Sequence, residues 1–332
     1  MARALITGGA GFIGSHLADF LVDAGHDVTV LDDFSSGSRS NLEQARKTGR
    51  LQVLEGTVLS SEDVHNALKG CETVFHLAVR SVRHSLGRPF ENHAVNATGT
   101  LNMLEAARRA GVNRFVYCSS SEVYGNSGDA VMDENATVCR PVTVYGGAKL
   151  AGEYYATAYR ETYGLSTVIV RPFNAYGPRA HLQGESGEVI PRFTARLLSD
   201  LPPIIFGTGN QTRDFTFVTE IARGIAAAGE VANVQGKIIN IAFGQAVSLV
   251  ELAKLTAEAC ARPDLKPQFS APRPGDVQAL LADVTQCRAL LGFKPEIPLA
   301  EGLKRYLAWM KTAGSEAYDS LSRVKTINWT TL

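Results

Sequence analysis

Thr7-Gly8-Gly9-Ala10-Gly11-Phe12-Ile13-Gly14 follows the short apolar run Ala4-Leu5-Ile6 and leads into a stretch, Phe12 to Ala24, with helical spacing of apolar residues. A glycine cluster alone is weak evidence, but between a strand and a helix it has a physical reason. Glycine permits positive φ, and its missing Cβ lets a phosphate group approach the backbone. The helix start behind the turn offers unpaired N–H groups and a favourable dipole to an anion. Val28 to Leu31 reads as the next buried strand and ends at Asp32. A carboxylate about twenty residues past such a turn accepts hydrogen bonds from a ribose diol. It would repel a 2′-phosphate, so NAD is expected rather than NADP. Gly8, Gly11, Phe12, Ile13, Gly14 and Asp32 are the expected cofactor contacts.

Outward from this turn, short apolar runs alternate with helical patterns, the signature of β-α-β units and a parallel sheet. Further strands are expected at Leu51–Leu54, Thr73–Leu77, Phe115–Cys118 and Ser166–Val170, with helices near Thr98–Ala110 and Tyr145–Thr162. After Pro178, Gly and Pro become frequent and the alternation breaks. The fold class is therefore α/β, a Rossmann-type doubly wound parallel sheet with a smaller C-terminal substrate-binding region. Residues 1–178 form the NAD-binding domain, with elements returning to the sheet near 214–245 (Phe215–Val218 and Ile238–Ile241). Residues 179–314 are mainly substrate-binding, and 315–332 form a C-terminal tail.

Composition narrows the partners. The 332 residues carry 33 basic and 33 acidic side chains, so no basic excess marks a nucleic-acid or anionic-membrane surface. No apolar run reaches the roughly 18 residues that span a bilayer, and the opening strand starts too near Met1 for a signal peptide. The five cysteines (Cys71, Cys118, Cys139, Cys260, Cys287) are odd in number and widely spaced, which favours a reducing, cytoplasmic setting. His84, His93 and His181 lack metal-ligand spacing, so no metal is expected.

Tyr145-Gly146-Gly147-Ala148-Lys149 opens a helix and puts Tyr145 and Lys149 on one face. A phenol, with a pKa of about 10, is a poor base at neutral pH, and lowering it three units needs about 4 kcal/mol. A cation about 4 Å away at an effective dielectric of about 20 supplies that much. Lys149 is the expected cation, and an oxidised nicotinamide would add a second. Cys118-Ser119-Ser120-Ser121-Glu122-Val123-Tyr124-Gly125 follows the strand at 115–118, and strand C-terminal ends are where open α/β sheets place ligands. Three hydroxyls and a carboxylate there are not needed by a core. Arg80 and Arg83, in the run Val79 to Ser85, are read as contacts to a uronate carboxylate or a phosphate. His76 reads as a buried strand end.

These pieces together resemble the extended short-chain dehydrogenase/reductase family of nucleotide-sugar epimerases, dehydratases and decarboxylases. The resemblance runs from Leu5 to about Met310. It rests on the glycine turn, His76-Leu77-Ala78, Asn96 with Gly99-Thr100, Ser120 to Gly125, and the Tyr/Lys pair followed by Glu153. It also rests on Arg171-Pro172-Phe173-Asn174-Ala175-Tyr176-Gly177-Pro178, the stretch Gly207 to Phe215, and Arg273-Pro274-Gly275-Asp276. The resemblance implies a nucleotide-diphosphate sugar oxidised transiently at C4 by NAD. Tyr145 and Ser120 share the sugar hydroxyl proton, with Lys149, Ser121 and Glu122 completing the catalytic set. Ala78, Asn96, Tyr145 and Lys149 join the cofactor contacts; Arg83, Ser120, Asn174, Arg213 and Arg273 bind substrate, and the two late arginines clamp the diphosphate. A homodimer through the two helices named above is also implied.

Three outcomes stay open after the 4-keto sugar. A 4-epimerase leads; a dehydratase using Glu122 as base and a UDP-uronate decarboxylase follow. Simple 4-epimerases of this family usually have a neutral residue where Glu122 stands, whereas the other two have Glu. Glucose-type dehydratases usually carry Asp in place of Ser121. The run after Ala78 and Arg213-Asp214-Phe215 are more epimerase- or dehydratase-like. Outside this group, an NAD-binding sensor is disfavoured by the intact Ser120, Tyr145 and Lys149. A reductase of free carbonyls using NADP is disfavoured by Asp32 and the late arginines.

Overall fold

The computed structural model describes residues 3–128, 130–181 and 188–312; the tail expected at 315–332 lies outside them. Six strands, β1 (Arg3–Thr7), β2 (Asp27–Asp32), β3 (Leu51–Glu55), β4 (Thr73–His76), β5 (Arg114–Cys118) and β6 (Thr167–Pro172), join an edge strand, Ile238–Ile241. Together they form one sheet in the order β3-β2-β1-β4-β5-β6-edge, with all neighbours parallel. The chain runs outward in both directions from β1 and β4, the doubly wound arrangement, whose switch point is a ligand crevice.

Side-chain alternation explains why the strands are apolar throughout. Ala4, Ile6, Val30, Val116 and Cys118 pack on one face with the helix α1 (Phe12–Asp23) and the helix Val218–Glu230. Leu5, Leu31, Phe115, Tyr117 and Ile169 pack on the other with Met103 and Leu104 of the helix Gly99–Ala110. A parallel sheet covered on both faces needs such runs. A third apolar cluster, with Tyr176, Phe193, Ile205, Leu252 and Tyr306, lies in the region built mostly from residues after Pro178.

One expected element falls elsewhere. Ile238–Ile241 does return to the sheet, but Thr216–Phe217 pairs with Ala175–Tyr176 as a separate two-stranded ribbon. The segment 215–218 then feeds the helix that covers the sheet, so its return is by packing and not by strand pairing.

Buried His76 joins three elements. Thr7 Oγ1 accepts from the Ala78 amide (3.2 Å) and lies 2.7 Å from His76 Nδ1, while Thr100 Oγ1 donates to the Asn96 carbonyl (2.7 Å) and lies 3.0 Å from His76 Nε2. Both hydroxyls are used consistently if Thr7 donates to Nδ1 and Nε2–H donates to Thr100, which makes the ring neutral. Burial, aided by Lys149, pushes its pKa down to about 3. Burial and Arg179 push His16 down to about 4, against its bond to the Pro178 carbonyl. Both folded values lie below the unfolded one, so the unfolded chain binds more protons in acid. The stability they contribute is complete above pH 6.5 and is lost as pH falls towards these folded values. Each histidine is expected to cost about 2 kcal/mol by pH 5, at 1.36 kcal/mol per unit. Asp214, raised by burial to about 6, works in the opposite sense over part of that range. An NMR titration should show the His76 ring neutral at pH 5; a normal midpoint near pH 6.5 would contradict this.

Candidate active site

A large cleft, about 1220 Å³, lies over the C-terminal ends of β1, β2, β4, β5 and β6. Gly8, Gly11, Phe12, Ile13 and Gly14 line it at one end, beside the first turn of α1. The first N–H groups of a helix have no partner within it. Gly8 has φ +70°, and a Cβ there would lie 2.8 Å from the Ala78 nitrogen. Asp32 lines the same end, with one oxygen accepting from Ala10 N and the other from Phe34 N, both at 2.8 Å. Burial pushes its carboxyl up against those two bonds. Each oxygen keeps a lone pair for a ribose hydroxyl. A glycine seat, free helix amides and a held carboxylate fit a dinucleotide with an unphosphorylated ribose.

Ala78 also lines the cleft, and Asn96 stands behind it, against the backbone of Arg80. Its amide is consumed internally: Oδ1 accepts from Arg80 N (2.9 Å), and Nδ2 donates to the Arg80 carbonyl and to Asn92 Oδ1, both at 3.0 Å. Asn96 thus pins the backbone after Ala78. Arg80 is likewise spoken for, paired with Asp33 at 3.0 Å and bonded to Ser35, so its place is beside the β2 end.

The middle of the cleft holds Ser120, Ser121, Glu122, Tyr145 and Lys149. The helix Val144–Tyr163 starts where Thr143 caps it, its hydroxyl accepting from Gly146 N at 3.1 Å. After β5, Ser120 is extended and its hydroxyl accepts from Glu122 N at 3.2 Å, starting the short turn Ser121–Val123. The Ser120 hydroxyl stands close enough to the Tyr145 phenol to favour its ionised form. Burial nevertheless holds the Tyr145 phenol above its ordinary range; the Ser120 hydroxyl opposes this, while Cys118 and Glu122 add to it.

Lys149 is 2 % exposed, and its ammonium donates to the Cys118 carbonyl at 2.7 Å. Burial lowers it to about 8, against Cys118 and Glu153. Burial thus dominates the Tyr145 phenol in the free protein. An oxidised nicotinamide, the second cation expected from the sequence, would add positive charge that favours the phenolate.

The far end is cationic. Arg213 Nη2 and Arg273 Nη2 both donate to Asp276 Oδ1, at 2.8 and 2.7 Å. Arg83, in the same cleft, is pushed down to about 10 by burial and by Arg273, with Glu188 opposing. Its buried Nε has no partner, and neither has the buried Oδ1 of cleft-lining Asn174. Arg192, which sequence reasoning did not single out, also lines the cleft and is pushed down to about 10 by burial and Arg273. Its only sequence signal is a cation between the buried Ile190 and Phe193 of an amphipathic helix. Glu122 lies among these groups. Burial pushes its carboxyl up, opposed first by Arg213 and Arg273.

A dinucleotide seat, a Ser–Tyr–Lys group and an arginine cluster in one cleft describe an enzyme that oxidises an alcohol on an anionic substrate. The model of the NAD dependent epimerase/dehydratase family matches residues 4–242. A UDP-glucose 4-epimerase of Mycolicibacterium smegmatis is 37 % identical over 313 residues, covering 93 % of this chain and 98 % of that protein. The solved UDP-glucose 4-epimerase of Thermotoga maritima with UDP-glucose superposes with a TM-score of 0.88 at 32 % identity, covering 94 % and 99 % of the two chains. The UDP-glucuronic acid 4-epimerase of Bacillus cereus, solved with UDP-glucuronic acid and NAD, gives 0.87 at 30 % identity, covering 94 % and 100 %. The chain belongs to the NAD dependent epimerase/dehydratase family, and it is an NAD-dependent nucleotide-sugar enzyme.

Proposed function

We infer that this chain is a UDP-hexose 4-epimerase. The meeting of Ser120, Tyr145 and Lys149 inside one cleft, with a glycine turn and Asp32 at one end and paired arginines at the other, carries the reading. Gly8, Gly11, Phe12, Ile13, Gly14, Asp32 and Ala78 hold NAD, which supplies the hydride acceptor and a positively charged ring. Tyr145 takes the C4 hydroxyl proton, with Ser120 holding that hydroxyl in line, and returns it after the 4-keto sugar has turned over. Lys149, still mostly charged at pH 7, favours the phenolate. Arg213 and Arg273 hold the diphosphate, with Asp276 fixing their forks, and Arg83 and Asn174 meet the sugar-phosphate end with their unpartnered buried atoms. The described residues from 188 to 312 form most of the cover over the substrate. The similarity to UDP-sugar 4-epimerases supports the uridine nucleotide.

Glu122 favours a second reading, a dehydratase or decarboxylase, because a carboxyl raised by burial in the same cleft as Tyr145 can serve as a further acid–base group. Glu122→Gln separates the two. A 4-epimerase keeps its rate within about fivefold, whereas loss of a catalytic acid–base group costs at least about a hundredfold. The assay is NMR and mass analysis of UDP-glucose, UDP-N-acetylglucosamine and UDP-glucuronic acid incubated with the protein. Products of unchanged mass and inverted C4, without net NAD consumption, are expected; loss of water or carbon dioxide overturns the 4-epimerase reading.

We also place the protein in the cytoplasm, where its five free thiols stay reduced. Among the described residues, no helix is long and apolar enough to cross a membrane. Two copies are expected to pair through the helices Gly99–Ala110 and Val144–Tyr163, on which Leu101 and Tyr154 are exposed apolar side chains. Light scattering should return twice the 35.6 kDa chain mass; a monomer at micromolar concentration counts against the pairing.

A further inference from the structure

Behind the catalytic loop lies a buried ion pair that the reaction itself does not use. Arg171, at the end of β6, donates from Nε to Glu153 Oε1 (2.9 Å) and from Nη2 to Oε2 (2.6 Å), with side-chain exposures of 3 % and 4 %. Such a pair seldom stabilises a fold more than apolar residues of the same shape would. Its other contacts show what it holds. Ser119 Oγ donates to Glu153 Oε1 at 2.5 Å, and the Arg171 guanidinium stacks over the Tyr124 ring at 4.6 Å. Tyr124 is fixed again by its hydroxyl, which donates to Asn240 Oδ1 at 2.8 Å. The two charges therefore grip both ends of the loop 119–124, whose middle carries Ser120, Ser121 and Glu122.

The catalytic helix reinforces the grip. Lys149 and Glu153 stand one turn apart and hold the consecutive residues Cys118, through its carbonyl, and Ser119, through its hydroxyl. The Ser119 amide is bonded to the Val170 carbonyl at 2.8 Å, one residue before Arg171. The geometry points to Glu153 and Arg171 as a positioning pair that sets the Ser120 hydroxyl against Tyr145. This rests on the reading that those two hydroxyls share the substrate proton.

Ser119→Ala tests the grip without leaving the Arg171 charge unpaired. Misplacing a reacting group by about 1 Å costs up to about a hundredfold in rate, and a partial release here should lower kcat by about tenfold. The KM for the UDP-sugar should stay within about twofold and the melting temperature within a few degrees, with Ser119→Thr restoring much of kcat through its hydroxyl. A crystal structure of the alanine variant should show the Ser120 hydroxyl moved away from Tyr145 relative to the wild-type crystal structure. The proposal is overturned if the Ser120 hydroxyl keeps its wild-type position against Tyr145, or if kcat stays within twofold of wild type. If the wild-type protein turns over no UDP-sugar, the epimerase reading fails, and the Ser119→Ala structure still decides this one.

Discussion

Tyr145→Phe should lower kcat by about a thousandfold, within the range that removal of a positioned acid–base group produces, while NAD stays bound. The substitution removes one oxygen and keeps the ring, so the packing of the helix start is preserved. No other group replaces it. Ser120 has an ordinary hydroxyl, and Lys149 is turned to the Cys118 carbonyl. The cofactor seat is built from other residues, Gly8 to Gly14 and Asp32, at the ends of β1 and β2. Steady-state kinetics with the UDP-sugar, beside a calorimetric titration with NAD, measure the two halves separately. Wild-type turnover would remove Tyr145 from the mechanism; loss of NAD affinity in parallel would mean that the ring is a cofactor contact first. The raised phenol adds a sharper expectation. Because burial opposes ionisation of Tyr145 in the free protein, its absorbance should stay that of a neutral phenol up to alkaline pH. Added NAD should shift that titration downward.

What the sequence disclosed follows the range of the interactions concerned. The glycine turn, Asp32 at the end of β2 and the Tyr145–Lys149 spacing are local, so strand and helix periodicity placed them correctly without knowledge of the fold. Ser120 to Glu122 were legible because a strand end in an open sheet is a predictable location. Long-range pairing was not legible. Asn96 has the residue type of a ligand contact, yet it spends its amide on Arg80 and Asn92. Arg80 is drawn off by Asp33, forty-seven positions away. Arg192 enters the cleft only because its helix packs beside residues distant in sequence. The spacing of Tyr145 and Lys149 shows that the two groups share a helix face but not how far burial lifts the phenol. The segment 215–218 was misplaced for a related reason, since a short apolar run does not say which neighbour it pairs with.

Gly14→Ala should weaken NAD binding by about a hundredfold or more, although alanine is the better helix former at almost any other site. A Cβ on Gly14 would lie 2.2 Å from the Gly8 carbonyl oxygen and 2.9 Å from Gly9 Cα. Ordinary contact therefore requires the turn to move by about 1 Å, the displacement that costs about a hundredfold where geometry is tight. Both obstacles are backbone atoms, so no rotamer change relieves them. Gly8 cannot retreat freely, because its own left-handed conformation and the nearby Ala78 backbone fix it. The strain falls on the turn that seats the pyrophosphate, and turnover should fall with cofactor affinity while UDP-sugar affinity at the arginine end is spared. Gly147→Ala is the matched comparison, since it too lies within a helix and its Cβ would meet nothing within 4 Å. It should raise stability by about 0.4–1 kcal/mol, the usual gain from restricting the unfolded chain. Calorimetry with NAD and thermal melts of both variants make the test. Gly14→Ala binding NAD within twofold of wild type would mean that the turn is not the cofactor's seat, and that the cleft is entered from its other end alone.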